Sequence, residues 1–319
     1  MAVQIVMLGL LALVGYFAGK TGYLPANSGI TLSKIVVKLT APLLILVTMV
    51  SKSFTRQEVE NGLWIYFWGL AFLAVSFAIS LFVTKRLKIS RSAKNIYMMH
   101  SMFGNVVFLA FPLIGAVYGK TWLAYAVFFN LANDTVLWTL GIYLVNRHNT
   151  NDWRNNLKYL VNGNTIAFLL GIASIIINLQ GIVNSSALVK GVYDILYGAF
   201  SPLGETTVPL SMLFIGLILS ETRIGSFNDI INRYPSFILA LFKLLLIPLI
   251  AFFLFSRLES FISPVVRGVV VLQLAMPCAT IVPALAAQYE SDYKFATENV
   301  FLTTLLSIVT LPLMAWIVK

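Results

Sequence analysis

Apolar stretches long enough to cross a bilayer, roughly 20 residues each, recur along the whole 319-residue chain and are separated by short polar segments. This pattern predicts an all-α integral membrane protein with ten transmembrane helices. The predicted spans are residues 3–19, 30–50, 62–84, 95–118, 121–146, 164–180, 188–220, 236–256, 266–288 and 294–318. The seventh span is the least regular, because the polar stretch 201–207 fits either the start of the helix or the segment before it.

The spans divide into two five-helix repeats, residues 1–146 and 164–319, joined by a predicted cytoplasmic linker at 147–163. Because five is odd, the second repeat is inverted relative to the first. A charge lies four residues before a mid-helix proline in spans two and seven, and prolines also interrupt spans four and nine. Inverted repeats with broken helices at matching positions are typical of alternating-access carriers.

Composition supports a membrane location and changes how the net charge is interpreted. Apolar residues make up 59% of the chain and charged residues 11%, against about 25% charged in a soluble domain. The net charge of +10 would suggest nucleic-acid binding in a soluble protein. Here Lys and Arg lie mainly in short loops, with twelve after odd-numbered spans and seven on the opposite side. The positive-inside rule therefore predicts a multi-pass plasma-membrane protein with both termini extracytoplasmic.

Lysines within the spans, and the first span itself, fit this topology. Lys34, Lys38 and Lys243 fall within helices, and we expect each near the end that faces the richer side. For the first two, snorkelling to the interface is the favoured interpretation. The chain is apolar from Met1, without a preceding basic segment, so we interpret its start as the first span and not as a signal peptide.

Spans four and nine carry the strongest candidate for a binding site. In span four, Gly104 and Asn105 precede Pro112, and span nine is interrupted at Pro277 and Pro283. Proline lacks an amide hydrogen and clashes with the carbonyl one turn back, so such helices can unwind and present half-helix N-termini to a carboxylate. The alternative is a simple kink in each helix. The candidate substrate-binding residues are Asn105, Gly104, Pro112, Pro277, Cys278, Ala279, Asn130 and Asn133.

Acidic residues within the spans are candidates for ion coupling. Asn130, Asn133 and Asp134 share one face of the fifth span, and a carboxylate such as Asp134 costs about 2.5–3.5 kcal/mol at the bilayer centre. Coupling to a proton or sodium ion and a helix–helix hydrogen-bond cluster are equally favoured interpretations. Glu205 and Glu298 are lesser candidates, because each fits a solvated position as well. Polar packing is the favoured interpretation of His100, Thr303, Thr304, Ser307 and Thr310.

Several classes of protein lack support in the sequence. No P-loop is present, which gives no sign of an ATP-driven engine. Two histidines and one cysteine argue against a histidine-rich metal site or an intrachain disulfide. We therefore expect no enzyme, no metal and no cofactor beyond a coupling H⁺ or Na⁺. The expected partners are an organic anion and the lipid bilayer, without nucleic acid.

Motifs along nearly the whole chain resemble those of the auxin efflux carrier family, whose bacterial members include malate-permease-like proteins. The first half contributes residues 15–24, 32–34, 41–44 and 104–113; the second contributes 208–211, Gly216, 276–277, 303–307 and 310–312. The resemblance implies a scaffold domain of helices 1, 2, 6 and 7 and a transport domain of helices 3–5 and 8–10. It also implies that broken helices 4 and 9 cross and bind an anion beside Asn105, with Pro112 and Pro277 as helix breakers.

Differences from the plant members of that family narrow the expected substrate. The central loop is short, and Asn105 lies seven residues before Pro112 where plant auxin exporters have an Asn-Pro-Asn pattern. These differences favour a metabolic mono- or dicarboxylate, with malate as the leading candidate, over auxin. The alternatives are a sodium-coupled symporter of the bile-acid type and a membrane receptor that does not transport. Direction of transport, coupling ion and oligomeric state stay open, with a homodimer as one option.

Overall fold

The computed structural model describes residues 2–25, 28–51, 53–147, 161–221 and 234–318. Within these ranges the regular secondary structure is helical, apart from one isolated antiparallel bridge between Gly104 and Cys278. Residues 148–160 of the predicted linker lie outside the described residues, as does the segment 222–233.

The helices follow one another with short connections. The first half contains α1 (Ala2–Lys20), α2 (Ser28–Ile35), α3 (Ala41–Val50), α4 (Arg56–Arg86), α5 (Arg91–Met102), α6 (Phe111–Tyr118), α7 (Lys120–Val136) and α8 (Ile142–Asn146). The second half contains α9 (Gly163–Ile176), α10 (Leu179–Ser185), α11 (Ala187–Glu205), α12 (Thr207–Glu221), α13 (Tyr234–Leu241), α14 (Ile247–Arg257), α15 (Pro264–Leu274), α16 (Ile281–Gln288) and α17 (Tyr293–Val318).

Four short π-helical segments among the described residues interrupt these helices. They are π1 (Val36–Thr40), π2 (Val106–Ala110), π3 (Leu137–Gly141) and π4 (Phe242–Leu246). After π1, π2 and π4, the second residue of the next α-helix is a proline, Pro42, Pro112 and Pro248 respectively. Because proline cannot donate to the carbonyl four residues back, the helix accommodates it by shifting to the wider hydrogen-bond pattern. The amide of Ala41, for example, bonds the carbonyl of Val36, five residues back.

Five helices in the described residues are long and apolar enough to cross a membrane. They are Ser28–Val50, Arg56–Arg86, Ala187–Ser220, Tyr234–Arg257 and Tyr293–Val318. The pair Gly163–Ile176 and Leu179–Ser185, bent by 60°, is a sixth candidate, and shorter apolar helices cover Val6–Lys20, Val106–Tyr118 and Pro264–Leu274. The structure is thus that of an all-helical membrane protein with five or six candidate spans. Ten spans and an inverted repeat stay predictions.

Two predicted spans differ in detail from the helices observed. The polar stretch 201–207 lies inside Ala187–Ser220 and not at its start. The predicted sixth span, 164–180, is not one straight helix, because α9 ends at Ile176 and the chain turns at Asn178. Asn178 has φ 51, a left-handed conformation that asparagine tolerates better than most residues.

The described chain forms two compact units. Unit 1 comprises residues 1–63, 107–131 and 161–221. In it, α1 packs along α12 through glycines: a Cβ on Gly15 would collide with the backbone of Leu213, and one on Gly216 with the backbone of Ala12. Small residues allow this close approach of helix backbones in membrane proteins.

Unit 2 comprises residues 64–106, 132–160 and 222–319. Its main apolar cluster draws on α4, α5, π3, α8, α16 and α17, and includes Leu73, Ile96, Met99, Phe103, Ile142, Val282 and Ala296. A second contact joins α4 to α14, where Trp68 and Phe72 pack edge-on against Phe255. Unit 2 therefore combines both sequence halves, as unit 1 does. The predicted scaffold and transport domains use whole spans, whereas the units divide spans four and five internally.

Candidate binding site

The first element of the site is a break in the helical path between α5 and π2. The helix α5 ends at Met102, and Phe103 is extended, with φ −87 and ψ 123. Gly104 and Asn105 follow, and helical structure resumes at Val106. The amide of Val106 already bonds the carbonyl of Gly104 at 2.9 Å. The break therefore lies at residues 103–105, where glycine has a low helix propensity.

A second break separates α15 from α16 in the same unit. The helix α15 ends at Leu274, and residues 275–280 are not helical before α16 begins at Ile281. Pro277 lies at the centre of this segment. Since proline has no amide hydrogen to donate, it favours the interruption that the sequence predicts here.

The two breaks run antiparallel and are joined by backbone hydrogen bonds. The amide of Asn105 donates to the carbonyl of Pro277 at 2.8 Å, and the amide of Ala279 donates to the carbonyl of Phe103 at 3.1 Å. A Cβ on Gly104 would lie 3.1 Å from the Cβ of Met276, so this glycine permits close approach. The structure thus brings together Gly104, Asn105, Pro277, Cys278 and Ala279, which we call the crossing.

The helix α17 supports the crossing from one side. The hydroxyl of Thr303 accepts the amide of Cys278 at 3.0 Å and donates to the carbonyl of Asn299 at 2.7 Å. The thiol of Cys278 donates to the carbonyl of His100, with the two atoms 3.9 Å apart. The backbone polar groups of the crossing are therefore largely satisfied by the protein itself.

One side-chain donor at the crossing is left without a partner. Asn105 is only 2% exposed, and its Nδ2 forms no hydrogen bond with the described residues. An unpaired buried donor costs about 1–3 kcal/mol, which a bound acceptor would recover. The crossing is thus suited chemically to an anionic or acceptor-rich ligand.

Lys243 is the site residue that sequence reasoning missed. It lies at the tenth position of the 24-residue helix Tyr234–Arg257, within π4, and is 1% exposed. Its Nζ donates to the carbonyl of Met102, the last residue of α5, at 2.8 Å. Lys243 was expected near a helix end, where its amine would reach the interface. That expectation is wrong, because the residue lies well inside the helix and its side chain is buried in the protein. The signal in the sequence was a lone lysine well inside an apolar span.

Comparisons with known proteins identify the family. A family model described as a membrane transport protein matches residues 1–315. The chain belongs to this family. The family is the one predicted from the resemblance to auxin efflux carriers. An uncharacterized transporter from Methanocaldococcus jannaschii is 27% identical over 311 residues, which is 97% of this chain and 96% of the relative.

A second archaeal relative supports the same conclusion. An uncharacterized transporter from Methanothermobacter thermautotrophicus is 27% identical over 213 residues, 66% of this chain and 63% of that protein. Family and relatives together indicate a membrane transporter.

The other predicted site residues of this membrane transport protein lie away from the crossing along the chain. Pro112 is the second residue of α6, belongs to unit 1 and follows π2. The expectation that it forms the break is wrong, because the π-helical segment accommodates it. Asn130 lies in unit 1, whereas Asn133 and Asp134 lie in unit 2; all three are buried in α7, with Asp134 9% exposed.

The two glutamates differ in their surroundings. Lys120 Nζ donates to Glu205 Oε1 at 2.8 Å, and the glutamate side chain is half exposed. This hydrogen bond raises the pKa of Lys120. Glu298 lies in the second turn of α17 and is partly buried. In the described residues, no group of three His, Cys, Asp or Glu side chains is placed to hold a metal ion.

Proposed function

We propose that this membrane transport protein is a secondary transporter of a small organic anion, a mono- or dicarboxylate with malate as the leading candidate. The observation that carries the proposal is the buried Nδ2 of Asn105, at the crossing of two broken helices, which has no hydrogen-bond partner in the described part of the chain. Neutral donors suit a carrier, because they bind an anion without holding it too tightly to be released.

The chemistry of the surrounding chain also supports an anion. The crossing segments, residues 102–106 and 275–280, contain no acidic residue, so no fixed negative charge opposes a carboxylate there. The basic side chain of Lys243 contacts the first of these segments, where its Nζ donates to the carbonyl of Met102. In this proposal the domain of spans 3–5 and 8–10 carries the substrate, and alternating access exposes the site to each side in turn.

Asp134, Glu205 and Glu298 are the sequence-derived candidates for coupling that transport to H⁺ or Na⁺. Asp134 is the most buried of the three. Glu205 already pairs with Lys120, so binding an ion there would compete with an existing contact. Asp134 therefore remains the first carboxylate to test for coupling.

Replacement of Asn105 by alanine tests the site. Asn105→Ala removes the free donor and should weaken binding of malate by about 1–3 kcal/mol, or roughly 5–150-fold. Calorimetric titration of the purified protein measures this change. Stability without ligand should be nearly unchanged, since Nδ2 makes no bond within the described residues.

Asn95 provides the matched control for that experiment. It is fully buried in α5, and both its amide atoms lack partners in the described residues, but it lies ten residues before Asn105. Asn95→Ala should therefore leave affinity unchanged. Equal affinities for Asn105→Ala and the wild type would refute the crossing site and favour Asn130 and Asn133. Binding without uptake into proteoliposomes would indicate a receptor, and uptake that requires a sodium gradient would indicate a sodium symporter.

A further inference from the structure

The environment of Lys243 is unusual for a charged side chain. It is 1% exposed, yet among the described residues it forms one hydrogen bond, to the carbonyl of Met102. A lysine ammonium has three donors and needs a counter-charge when it is removed from water. The single carbonyl satisfies one of the three donors and supplies no counter-charge.

Within the part of the chain that the structure describes, the segments around π4 supply no carboxylate that pairs with Lys243. The helices α5, α13, α14 and α17 pack against it, and the ionisable groups that interact with Lys243 electrostatically are His100 and Cys278. The ion pairs found in the described residues do not include Lys243. The other ionisable residues of these four helices are Arg91, Lys94, Tyr97, Tyr234, Arg257, Tyr293, Lys294 and Glu298.

A carboxylate bound at the crossing would supply the missing charge. The Nζ of Lys243 donates to the carbonyl of Met102. Asn105, whose Nδ2 has no partner among the described residues, follows three residues later. An anion beside a buried amine favours the protonated form of that amine. By linkage, any group that binds a proton more tightly when the substrate is present takes up a proton as the substrate binds.

We propose that Lys243 is the proton-binding group of the carrier, so that a substrate carboxylate at the crossing and a proton on Nζ bind together; this inference rests on the proposed function. The proton converts the neutral amine of Lys243 into an ammonium, and this ammonium pairs with the carboxylate ion. For a monocarboxylate the pair carries no net charge. On release to the other side, the proton leaves Nζ and the carboxylate leaves the crossing, which amounts to proton–anion symport.

Calorimetry in buffers of different ionisation enthalpy measures the protons taken up on binding. Malate and lactate are suitable probes, titrated between pH 7 and 9. The wild type should take up at most about one proton per bound molecule of either probe, because Lys243 has one amine to protonate. Lys243→Arg keeps a permanent charge, so it should bind with no proton uptake, and its transport should lose its dependence on an imposed pH gradient.

Lys38 supplies a matched control, because it also lies in a π-helical segment that leads into an α-helix with proline as its second residue, but its side chain is exposed. Lys38→Arg should keep the wild-type proton uptake. Lys243→Gln is the second variant for the case in which Lys243→Arg does not fold. It should bind the probes more weakly than the wild type and without proton uptake.

The outcomes distinguish this inference from the proposed function. If the wild type binds neither probe nor any other carboxylate, the proposed function fails and the inference fails with it. If the wild type binds a probe without proton uptake, or if Lys243→Arg or Lys243→Gln still takes up a proton, only the inference fails. Loss of proton uptake in Asp134→Asn, with Lys243→Arg unaffected, would assign coupling to the carboxylate instead.

Discussion

At the scale of single residues, the crossing depends on one hydroxyl from a neighbouring helix. Thr303 is fully buried and accepts the amide of Cys278. Thr303→Val preserves the shape but leaves that amide unsatisfied, so we expect the free energy of unfolding to fall by about 1–3 kcal/mol. Thermal unfolding in detergent measures this loss.

The adjacent threonine is the control. The hydroxyl of Thr304 is buried without a partner in the described residues, so Thr304→Val should leave stability unchanged or raise it. Equal losses in the two variants would show that packing, and not the hydrogen bond to Cys278, accounts for the effect.

Residue chemistry also explains which site residues the sequence could identify. The crossing residues Gly104 and Pro277 were predictable, because glycine and proline act on their own backbone. Asn105 was predictable as the polar residue directly after Gly104. Lys243 was not, because one sequence does not show whether a lysine side chain turns towards the interface or into the protein. Pro112 was predicted to form the break, but the break lies at residues 103–105, because the π-helical segment before Pro112 accommodates its missing amide.

At the scale of helices, the length of an apolar run predicted where helices lie but not how they bend. The change to π-helical geometry before Pro42, Pro112 and Pro248 depends on how the chain accommodates a missing amide. A kink, an unwound segment or a π segment all satisfy that local requirement. Packing decides among them, and packing is not visible in the order of residues.

Helix packing yields a prediction for α1 and α12. Gly15 and Gly216 lie where any Cβ would meet the backbone of the partner helix. Gly15→Ala and Gly216→Ala should therefore each lower the free energy of unfolding by about 1–3 kcal/mol, the usual cost of overpacking. Denaturation of the purified protein measures the change.

Gly9, in the same helix as Gly15, has no atom within 4 Å of the position of an added Cβ. Gly9→Ala is therefore expected to be neutral or slightly stabilising, because alanine has the higher helix propensity. A loss as large as that of Gly15→Ala would mean that the close approach to α12 is not the cause.

At the scale of the whole molecule, each compact unit takes residues from both sequence halves. A sequence read from end to end suggests a division at the polar linker near residue 150, because composition changes there. Which helices pack together depends on contacts between distant segments, such as α1 with α12 or α5 with α17. The arrangement of these contacts could not be predicted from composition or spacing.

The topology across the membrane is the prediction that belongs to this scale. Three loops that follow odd-numbered predicted spans meet in unit 2: the amide of Lys88 donates to the Tyr234 hydroxyl at 3.4 Å, and the Ser92 and Ser291 hydroxyls are 2.8 Å apart. These contacts place the loops at one end of the unit, as the predicted topology requires. The twelve-to-seven distribution of Lys and Arg then favours the cytoplasm for that end.

Cysteine labelling tests that orientation. The native Cys278 is fully buried, and replacing it by serine gives a background without thiols. In that background Lys88→Cys, at an exposed position, should react with a membrane-impermeant thiol reagent only after the cells are permeabilised. Arg56 lies between the second and third predicted spans, at the first residue of α4, and its side chain is 94% exposed. Arg56→Cys should therefore react in intact cells. The reverse pattern would place both termini in the cytoplasm, because one set of loops cannot change sides without the other.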